Sequence, residues 1–182
     1  MRIAFCGPMR VGKDTAAEYL KSKVGGRILK FADPLYEMQD AIYRIAGLEL
    51  LKNGEKHRGL LQYLGTQWGR MTISDSLWLD IFNDRVHNIH NETPNENLFC
   101  TDSRFANEVV LLKQLGFTII YLQAEESILI ERGATFTNHE SEQYMKNFTE
   151  YDLRIQNNGT LDEYFASLEP LQFNPTFAQG AN

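Results

Sequence analysis

The chain has 182 residues, of which 43% are hydrophobic, 12% aromatic and 23% charged, and its formal net charge is −6. This composition predicts a soluble globular domain with a substantial core, and it excludes collagen-like and wholly disordered classes. The acidic balance provides no overall field for a nucleic-acid backbone or an anionic membrane, so we expect neither as a partner and expect any phosphate to be bound by local groups.

The apolar runs are short, and residues 119–122 (IIYL) are an example far below the roughly 18 residues that span a bilayer. Gly7 and Pro8 interrupt the N-terminus before an apolar signal-peptide core could form. Cys6 and Cys100 lie in separate apolar runs without a CxxC or Cys/His spacing, so we expect two buried, reduced thiols. These features predict a cytoplasmic protein.

Apolar runs of strand length alternate with segments of helical period, which is typical of βαβ units. The pattern predicts an α/β fold, a parallel five-stranded sheet with helices on both faces. The predicted strands are residues 3–6, 27–31, 98–101, 118–122 and 152–155. The predicted helices are residues 13–22, 33–46, 55–70, 74–90, 104–115, 125–132, 140–148 and 161–168.

Three of these helices carry informative residues. Asp33 can cap the helix over 33–46, and Pro34 fits its first position. Gly116 is a plausible C′ residue for the helix over 104–115. The helix over 55–70 has two faces at helical spacing, and the second, polar face predicts a cleft. The first face holds Leu61, Leu64 and Trp68, and the second holds Arg58, Gln62 and Thr66.

Residues 7–13 (GPMRVGK) fit the pattern G-x-x-x-x-G-K between a predicted strand and a predicted helix. Glycines let backbone N–H groups wrap phosphates, the lysine reaches the β- and γ-phosphates, and the helix N-terminus adds partial positive charge. The motif therefore predicts a nucleotide-phosphate site that includes Gly7, Arg10, Gly12 and Lys13.

The residue after Lys13 is Asp14, and the hydroxyl comes one place later, at Thr15. A magnesium ligand is normally the Ser or Thr next to the lysine. Either Asp14 binds the ion through water or Thr15 takes over, and both remain open at this stage. The shifted hydroxyl resembles the GKGT form of small nucleotide kinases more than the GKS or GKT of GTPases and motor ATPases.

Asp102 and Arg104 follow the predicted strand over 98–101, at the edge of a parallel sheet where ligands bind. Asp102 can organise Mg²⁺ and its waters, and Arg104 can hold a phosphate with two hydrogen bonds. Alternatively, Asp102 is the N-cap of the next helix, and both roles are compatible. The arginines available to a phosphate site are Arg10, Arg58, Arg70, Arg104 and Arg132.

Along most of its length the chain resembles the deoxynucleoside monophosphate kinases of tailed bacteriophages, a P-loop family. The resemblance implies the P-loop kinase fold and transfer of the γ-phosphate of ATP to deoxynucleoside 5′-monophosphates, with Mg²⁺, in nucleotide supply for DNA synthesis in a host cytoplasm. The matching segments are GPMRVGKDT (7–15), KFADPLYE (30–37), RGLLQYLGTQWGR (58–70), TDSRFANEVVLLKQLG (101–116), NHESEQ (138–143) and IQNNGTLDEYF (155–165).

The resemblance also implies roles for residues of one domain, 1–182, with an acceptor-binding helical segment at about 33–90 and a lid at about 132–148 that contains His139. In this chain Asp102 and Arg104 are two positions apart, whereas the corresponding aspartate and arginine of adenylate kinase-like enzymes are four positions apart. The implied catalytic residues are Arg10, Lys13, Asp102, Arg104 and Arg132. The implied donor site adds Gly7, Gly12, Asp14, Thr15, Asn157 and Gly159, and the implied metal ligands are Asp14, Thr15 and Asp102. The implied acceptor site holds Phe31, Ala32, Asp33, Arg58, Gln62, Thr66, Arg70, Arg104 and Asn107.

Two alternatives stay open. A dephospho-coenzyme A kinase, or another P-loop kinase of small molecules, shares the loop and the order of strands. A nucleotide-binding regulatory module would share the loop as well, although the guanine-reading Asn-Lys-x-Asp motif of GTPases does not occur. Base preference, discrimination of ribose from deoxyribose and oligomeric state, including a homodimer, are not determined by the sequence.

Overall fold

The computed structural model describes residues 1–48, 57–135 and 148–172. Its centre is a five-stranded sheet in the order β2-β3-β1-β4-β5, and every neighbouring pair is parallel. The predicted fold class is therefore confirmed. The strands are β1 (Arg2–Cys6), β2 (Arg27–Leu29), β3 (Leu98–Cys100), β4 (Thr118–Gln123) and β5 (Leu153–Gln156).

The helices follow in chain order. They are α1 (Lys13–Val24), α2 (Asp33–Ile45), α3 (Arg58–Gln62), α4 (Leu77–Glu92), α5 (Ala106–Gln114), α6 (Glu126–Glu131) and α7 (Leu161–Leu168). A π-helix (Tyr63–Ile73) continues α3, and a 3₁₀ turn (Glu169–Gln172) continues α7. In the part of the chain that the structure describes, no helix combines the length and the apolar character that crossing a membrane requires.

The central strand β1 is buried on both faces, since Ile3, Ala4, Phe5 and Cys6 are all 0% exposed. Its neighbours are β3 on one side and β4 on the other, so the direction of chain progression through the sheet reverses at β1. Open parallel sheets bind ligands beyond the carboxyl ends of their strands at such a reversal. The segment that leaves the carboxyl end of β1 is the predicted phosphate loop.

Two compact units make up the chain. The first, Met1–Leu29 with Val86–Asn182, contains the whole sheet. The second, Lys30–Arg85, contains α2, α3, the π-helix and the first part of α4. The acceptor-binding segment predicted at about 33–90 overlaps this second unit, and its role stays a prediction.

The start of α2 differs from the prediction. Ala32 occupies the N-cap position without a side-chain hydrogen bond, and Pro34 lies inside the first turn. The carboxylate of Asp33 instead accepts a hydrogen bond from the backbone N–H of Lys30, at 2.8 Å. Asp33 therefore closes the turn that leads into the helix rather than capping it. The predicted strand over 27–31 ends at Leu29 for the same reason, because the chain turns there.

The largest correction concerns the predicted α-helix over 55–70, of which residues 55 and 56 lie outside the described residues. From Tyr63 onward the backbone is a π-helix, with i→i+5 hydrogen bonding such as Ser74 N–H to Gly69 O at 3.0 Å. The wider helix leaves room for the Trp78 ring, which an added Cβ at Gly69 would strike. The indole N–H of Trp78 also donates to Gly65 O at 2.8 Å.

Two local predictions are confirmed. Cys6 and Cys100 are both buried and unpaired. Gly116 ends α5 with φ +76°, and the next N–H, of Phe117, donates back to Leu112 O at 2.9 Å. A left-handed residue followed by such a backward bond is the usual helix stop that glycine permits. The predicted helix over 140–148 lies outside the described residues except for Phe148.

Candidate functional site

The candidate phosphate loop connects β1 to α1, and its backbone depends on glycine. Gly7 has φ +136°, and a Cβ at this position would strike the carbonyl oxygen of Leu122 on β4. Gly12 has φ +99° and is the N-cap of α1. Arg10, between them, is exposed and has a left-handed φ of +64°, which is uncommon for a residue with a side chain. The loop is therefore tightly curved and lies against the end of the neighbouring strand.

Lys13 folds back over this loop. Its ammonium donates to the carbonyl oxygens of Gly7 at 2.9 Å and Pro8 at 2.8 Å. Burial and, to a smaller extent, the charge of Arg104 lower the pKa of Lys13 to about 8, against the opposing effect of Asp14 and Asp102. The sheet edge thus gathers two cations and two carboxylates around one loop.

A hydrogen bond joins the start of α1 to the end of β3. The buried hydroxyl of Thr101 donates to Oδ1 of Asp14 at 2.7 Å. Thr101 directly precedes Asp102, so both predicted carboxylate ligands belong to the same stretch of the sheet edge. Thr15 is exposed one residue further along α1. Among the described residues, no group of three or more His, Cys, Asp and Glu side chains is arranged to hold a metal on its own.

Asp102 is not the N-cap of the helix that follows it, because α5 begins at Ala106. The buried carboxylate of Glu108 serves the helix start instead, and it accepts from the N–H of Arg104 at 2.7 Å and of Phe105 at 3.1 Å. The side chain of Arg104 is exposed, as is that of Asn107 in the first turn of α5. The capping alternative for Asp102 is therefore wrong.

A cavity of about 310 Å³ opens beside the loop. Six of the nine residues around it were predicted as donor-site or catalytic residues, and the other three are Thr160, Leu161 and Tyr164. Its lining consists of Arg10, Gly12, Thr15, Arg132, Asn157, Gly159, Thr160, Leu161 and Tyr164.

Asn157 links two parts of this cavity wall. Its buried side-chain amide donates to Val11 O of the loop at 3.0 Å. Arg132, at the end of α6, donates to the backbone carbonyl of Asn157 at 3.0 Å and approaches its Oδ1 at 3.5 Å. Arg132 and the loop are thus held to the same residue at the end of β5.

Tyr164 lines this cavity and contacts the loop, and the sequence analysis did not predict it. Its hydroxyl donates to Gly12 O at 3.0 Å, although the two residues are far apart in the chain. The capping box of Thr160 and Glu163 marks the start of α7 in the sequence and could have placed this helix beside the Asn157 turn. The sequence around Tyr164 contains no pattern that predicts its hydrogen bond to Gly12.

The predicted acceptor residues are divided between the two units. Arg104 and Asn107 belong to the first unit, and the others to the second. In the second unit, Phe31 is buried and stacks on Phe82 with ring centroids 4.1 Å apart. Arg58, Gln62 and Thr66 are exposed, whereas Arg70, Ala32 and Asp33 are partly buried.

Most of the predicted lid, including His139, lies outside the described residues. Its described ends are Arg132 to Thr135 and Phe148. Ala134 and Phe148 are both buried, at 8% and 6% exposure. Phe148 packs against Tyr121 and Tyr151, with ring centroids 5.8 and 6.3 Å away.

No protein-family model matches the chain. It is 25% identical over 185 residues to an Acanthamoeba polyphaga mimivirus protein described as "Putative deoxynucleotide monophosphate kinase", covering 91% of this chain and 93% of that protein. Similar solved structures include the shikimate kinase of Bacteroides thetaiotaomicron, with a TM-score of 0.58, 15% identity and coverage of 94% of this chain and 96% of that one. The APS kinase of Mycobacterium tuberculosis, in complex with AMPPNP and APS, has a TM-score of 0.56, 12% identity and coverage of 95% and 98%. The chain has the fold of these P-loop kinases.

Proposed function

We propose that this protein is a kinase that transfers the γ-phosphate of ATP to a deoxynucleoside 5′-monophosphate. The observation that carries the proposal is the group of charged side chains at one sheet edge. There Lys13, on a loop that depends on glycine, lies close enough to Arg104 and Asp102 for both charges to act on its ammonium. The mimivirus relative, similar over nearly the whole chain, supports the choice of acceptor.

In this proposal the donor phosphates occupy the curved loop between Gly7 and Lys13. The N–H groups at the start of α1 carry the positive end of the helix dipole and suit a phosphate anion. Lys13 would exchange its two carbonyl partners for phosphate oxygens. Arg132 and Arg10 line the adjoining cavity and would supply further positive charge to the triphosphate.

The residues at the sheet edge fit a Mg²⁺ ion that arrives with ATP. Mg²⁺ keeps several waters and is usually held by one or two carboxylates together with substrate phosphates, so a complete protein cage is not needed. Asp102, Asp14 and Thr15 are the oxygen donors that would hold it, and the Thr101 hydrogen bond fixes one oxygen of Asp14. The ion would neutralise charge that develops on the phosphates.

The reaction needs little covalent help from the protein. An oxygen of the acceptor phosphate forms a bond to the γ-phosphorus while the bond from that phosphorus to the β–γ bridging oxygen breaks, which yields a deoxynucleoside diphosphate and ADP. Charge spreads over the equatorial oxygens during transfer, and catalysis consists mainly of positioning and positive charge. We assign Arg104 to the acceptor phosphate, because a guanidinium can hold two of its oxygens at once.

The test is a panel of deoxy- and ribonucleoside monophosphates with ATP and Mg²⁺, in which ADP and the diphosphate are both quantified. We expect ADP formation to depend on a deoxynucleoside monophosphate and to fall at least about 100-fold in Lys13→Met, which keeps the length of the side chain but removes its charge. If dephospho-coenzyme A were phosphorylated and no deoxynucleoside monophosphate were, the proposed acceptor would be wrong. ATP hydrolysis that is indifferent to every acceptor would indicate a regulatory module.

A further inference from the structure

Glu108, in the first turn of α5, is a buried carboxylate to which the proposed reaction gives no part. It is 3% exposed. A glutamate is rarely buried to this degree unless it is paired or hydrogen-bonded, because removing its charge from water is costly. The partners of this carboxylate therefore indicate what it does.

One oxygen of the carboxylate binds the backbone on both sides of Arg104. Oε2 of Glu108 accepts from the N–H of Arg104 at 2.7 Å and from the N–H of Phe105 at 3.1 Å. These N–H groups belong to the peptide units before and after the Cα of Arg104. Because each peptide unit is planar, attaching both to one oxygen fixes the φ and ψ angles of Arg104. The direction in which its side chain leaves the backbone is fixed with them.

The bond to Arg104 goes beyond what a helix start requires. In a capping box the glutamate at the third helical position bonds to the N–H of the N-cap residue, which is Phe105 in α5. Glu163 holds the equivalent position in α7, and both hydrogen bonds of its carboxylate go to the N-cap residue, Thr160. Glu163 is also exposed. Thus α7 begins without a buried glutamate and without a bond to the residue before the N-cap.

We propose that Glu108 is a positioning residue that aims Arg104 at the acceptor phosphate. The inference rests on the proposed function, which assigns Arg104 to that phosphate, and it adds the residue that sets the direction of Arg104. Glu108 acts through the backbone of its neighbour and does not itself touch the substrate.

A second contact fixes the same segment at its other end. The hydroxyl of Thr101 donates to Oδ1 of Asp14 at 2.7 Å, three residues before Arg104. Thr101 and Ser103 are 3% and 1% exposed, whereas the side chain of Arg104 is exposed. The segment is therefore held to α1 at one end and to α5 at the other. The charge of Arg104 lowers the pKa of Lys13, which agrees with a guanidinium directed toward the phosphate loop.

Direction matters for an arginine that holds a phosphate. Two parallel hydrogen bonds form only when the planar guanidinium faces the phosphate oxygens, so a small turn of the backbone removes one of them. A misplacement on the order of 1 Å can cost about 100-fold in rate. A backbone that is already fixed also has less freedom to lose when the phosphate binds. We therefore expect the Glu108 contact to affect the acceptor more than ATP.

Two conservative variants separate the reach of Glu108 from its charge. Glu108→Asp keeps the charge but is one methylene shorter, so its carboxylate should not reach the N–H of Arg104. Glu108→Gln loses the charge, but its carbonyl oxygen can accept both hydrogen bonds. In steady-state assays we expect Glu108→Asp to raise KM for the deoxynucleoside monophosphate at least about 10-fold and KM for ATP less than about twofold. Glu108→Gln should keep both KM values within about threefold of the unchanged protein.

Amide hydrogen exchange checks the contact itself. The N–H groups of Arg104 and Phe105 should exchange faster in Glu108→Asp than in the unchanged protein, whereas Glu108→Gln should preserve their protection. An aspartate still suits the first turn of a helix, so Glu108→Asp should remain folded, which circular dichroism verifies. The matched control is Glu163→Asp, the same change at the same position of α7, and it should leave KM for the acceptor unchanged.

A background that lacks the arginine decides whether Glu108 acts through it. In Arg104→Ala the further change Glu108→Asp should have no effect on kcat/KM for the acceptor, because the side chain that Glu108 aims is gone. A loss of the same factor in both backgrounds would overturn the inference. Glu108→Gln as impaired as Glu108→Asp would overturn it as well, because charge rather than reach would then matter.

The outcomes separate this inference from the proposed function. If the protein phosphorylates deoxynucleoside monophosphates and Glu108→Asp speeds amide exchange but leaves KM for the acceptor unchanged, Glu108 only caps α5. The inference is then overturned, and the kinase proposal stands. If the unchanged protein phosphorylates no deoxynucleoside monophosphate, the proposed function fails and this inference fails with it.

Discussion

Gly12 is a crowded position of the candidate phosphate loop, and Gly12→Ala tests how closely the loop is packed against two side chains. An alanine Cβ would lie 2.9 Å from Asn157 Nδ2 and 3.1 Å from the Tyr164 ring. These two side chains donate hydrogen bonds to Val11 O and Gly12 O of the loop, so they cannot move aside without breaking those bonds. We expect Gly12→Ala to destabilise the protein and to weaken ATP binding together.

The matched control is Gly133→Ala in the same compact unit. Gly133 has φ +82°, close to the +99° of Gly12, but an added Cβ there would meet nothing within 4 Å. Both substitutions therefore introduce a left-handed alanine, which costs roughly 1–2 kcal/mol. Only Gly12→Ala adds crowding, for which about 1–3 kcal/mol is typical. The difference between the two variants isolates the packing of the loop.

The assay is urea or thermal unfolding followed by circular dichroism, with ATP binding measured by calorimetry on the same samples. In a chain of this size each kcal/mol lowers Tm by on the order of 2–4 °C. We expect Gly12→Ala to lose about 1–3 kcal/mol more than Gly133→Ala. Equal losses of stability in the two variants would refute the reasoning, because they would mean that Asn157 and Tyr164 yield without cost.

Three further substitutions test single contacts of the site. Thr101→Val removes the hydroxyl that donates to Asp14, so we expect a loss of about 1–3 kcal/mol in unfolding and a higher Mg²⁺ requirement, while Thr101→Ser should retain both values. Asp102→Asn should lower kcat and raise the Mg²⁺ concentration for half activity, and an unchanged Mg²⁺ titration would remove Asp102 from the metal site. Tyr164→Phe should cost about 1 kcal/mol and raise KM for ATP more than KM for the acceptor, and equal changes in both KM values would contradict a donor-side role.

The sheet was predictable because its three inner strands, β1, β3 and β4, are short and largely buried apolar runs that leave a continuous hydrophobic signal in the sequence. Errors at the strand ends amount to one or two residues, as at Leu29 and Cys100. After Leu29 the chain enters a turn that the Asp33 carboxylate closes, and the apolar pattern does not report that turn. The π-helix was not predictable in the same way. The Trp78 ring packs where a Cβ at Gly69 would lie, and a contact between two separate helices leaves no periodic pattern in the sequence of either one.

The residues of the candidate site also differ in how well the sequence predicts them. The loop residues and Asp102 could be proposed from the sequence because a polar segment directly follows a predicted strand in both places, and in the loop a glycine pattern and a helix come next. Tyr164 was missed because its contribution is a single hydroxyl that reaches the loop across 152 positions of sequence. Contacts of this kind depend on how α7 packs against α1, and that packing cannot be predicted from the sequence of either helix alone.

Under the proposed function, the position of Lys13 affects how fast and how tightly a nucleotide binds. With its ammonium bonded to the carbonyl oxygens of Gly7 and Pro8, the lysine holds the loop in one shape. A ligand that meets such a preorganised loop loses less free energy to ordering it, which favours affinity. The same two hydrogen bonds must break before the lysine can turn to the ligand, so entry includes an exchange step within the protein. Under the proposed function, Lys13 thus lowers the entropic cost of nucleotide binding and adds a local barrier to it.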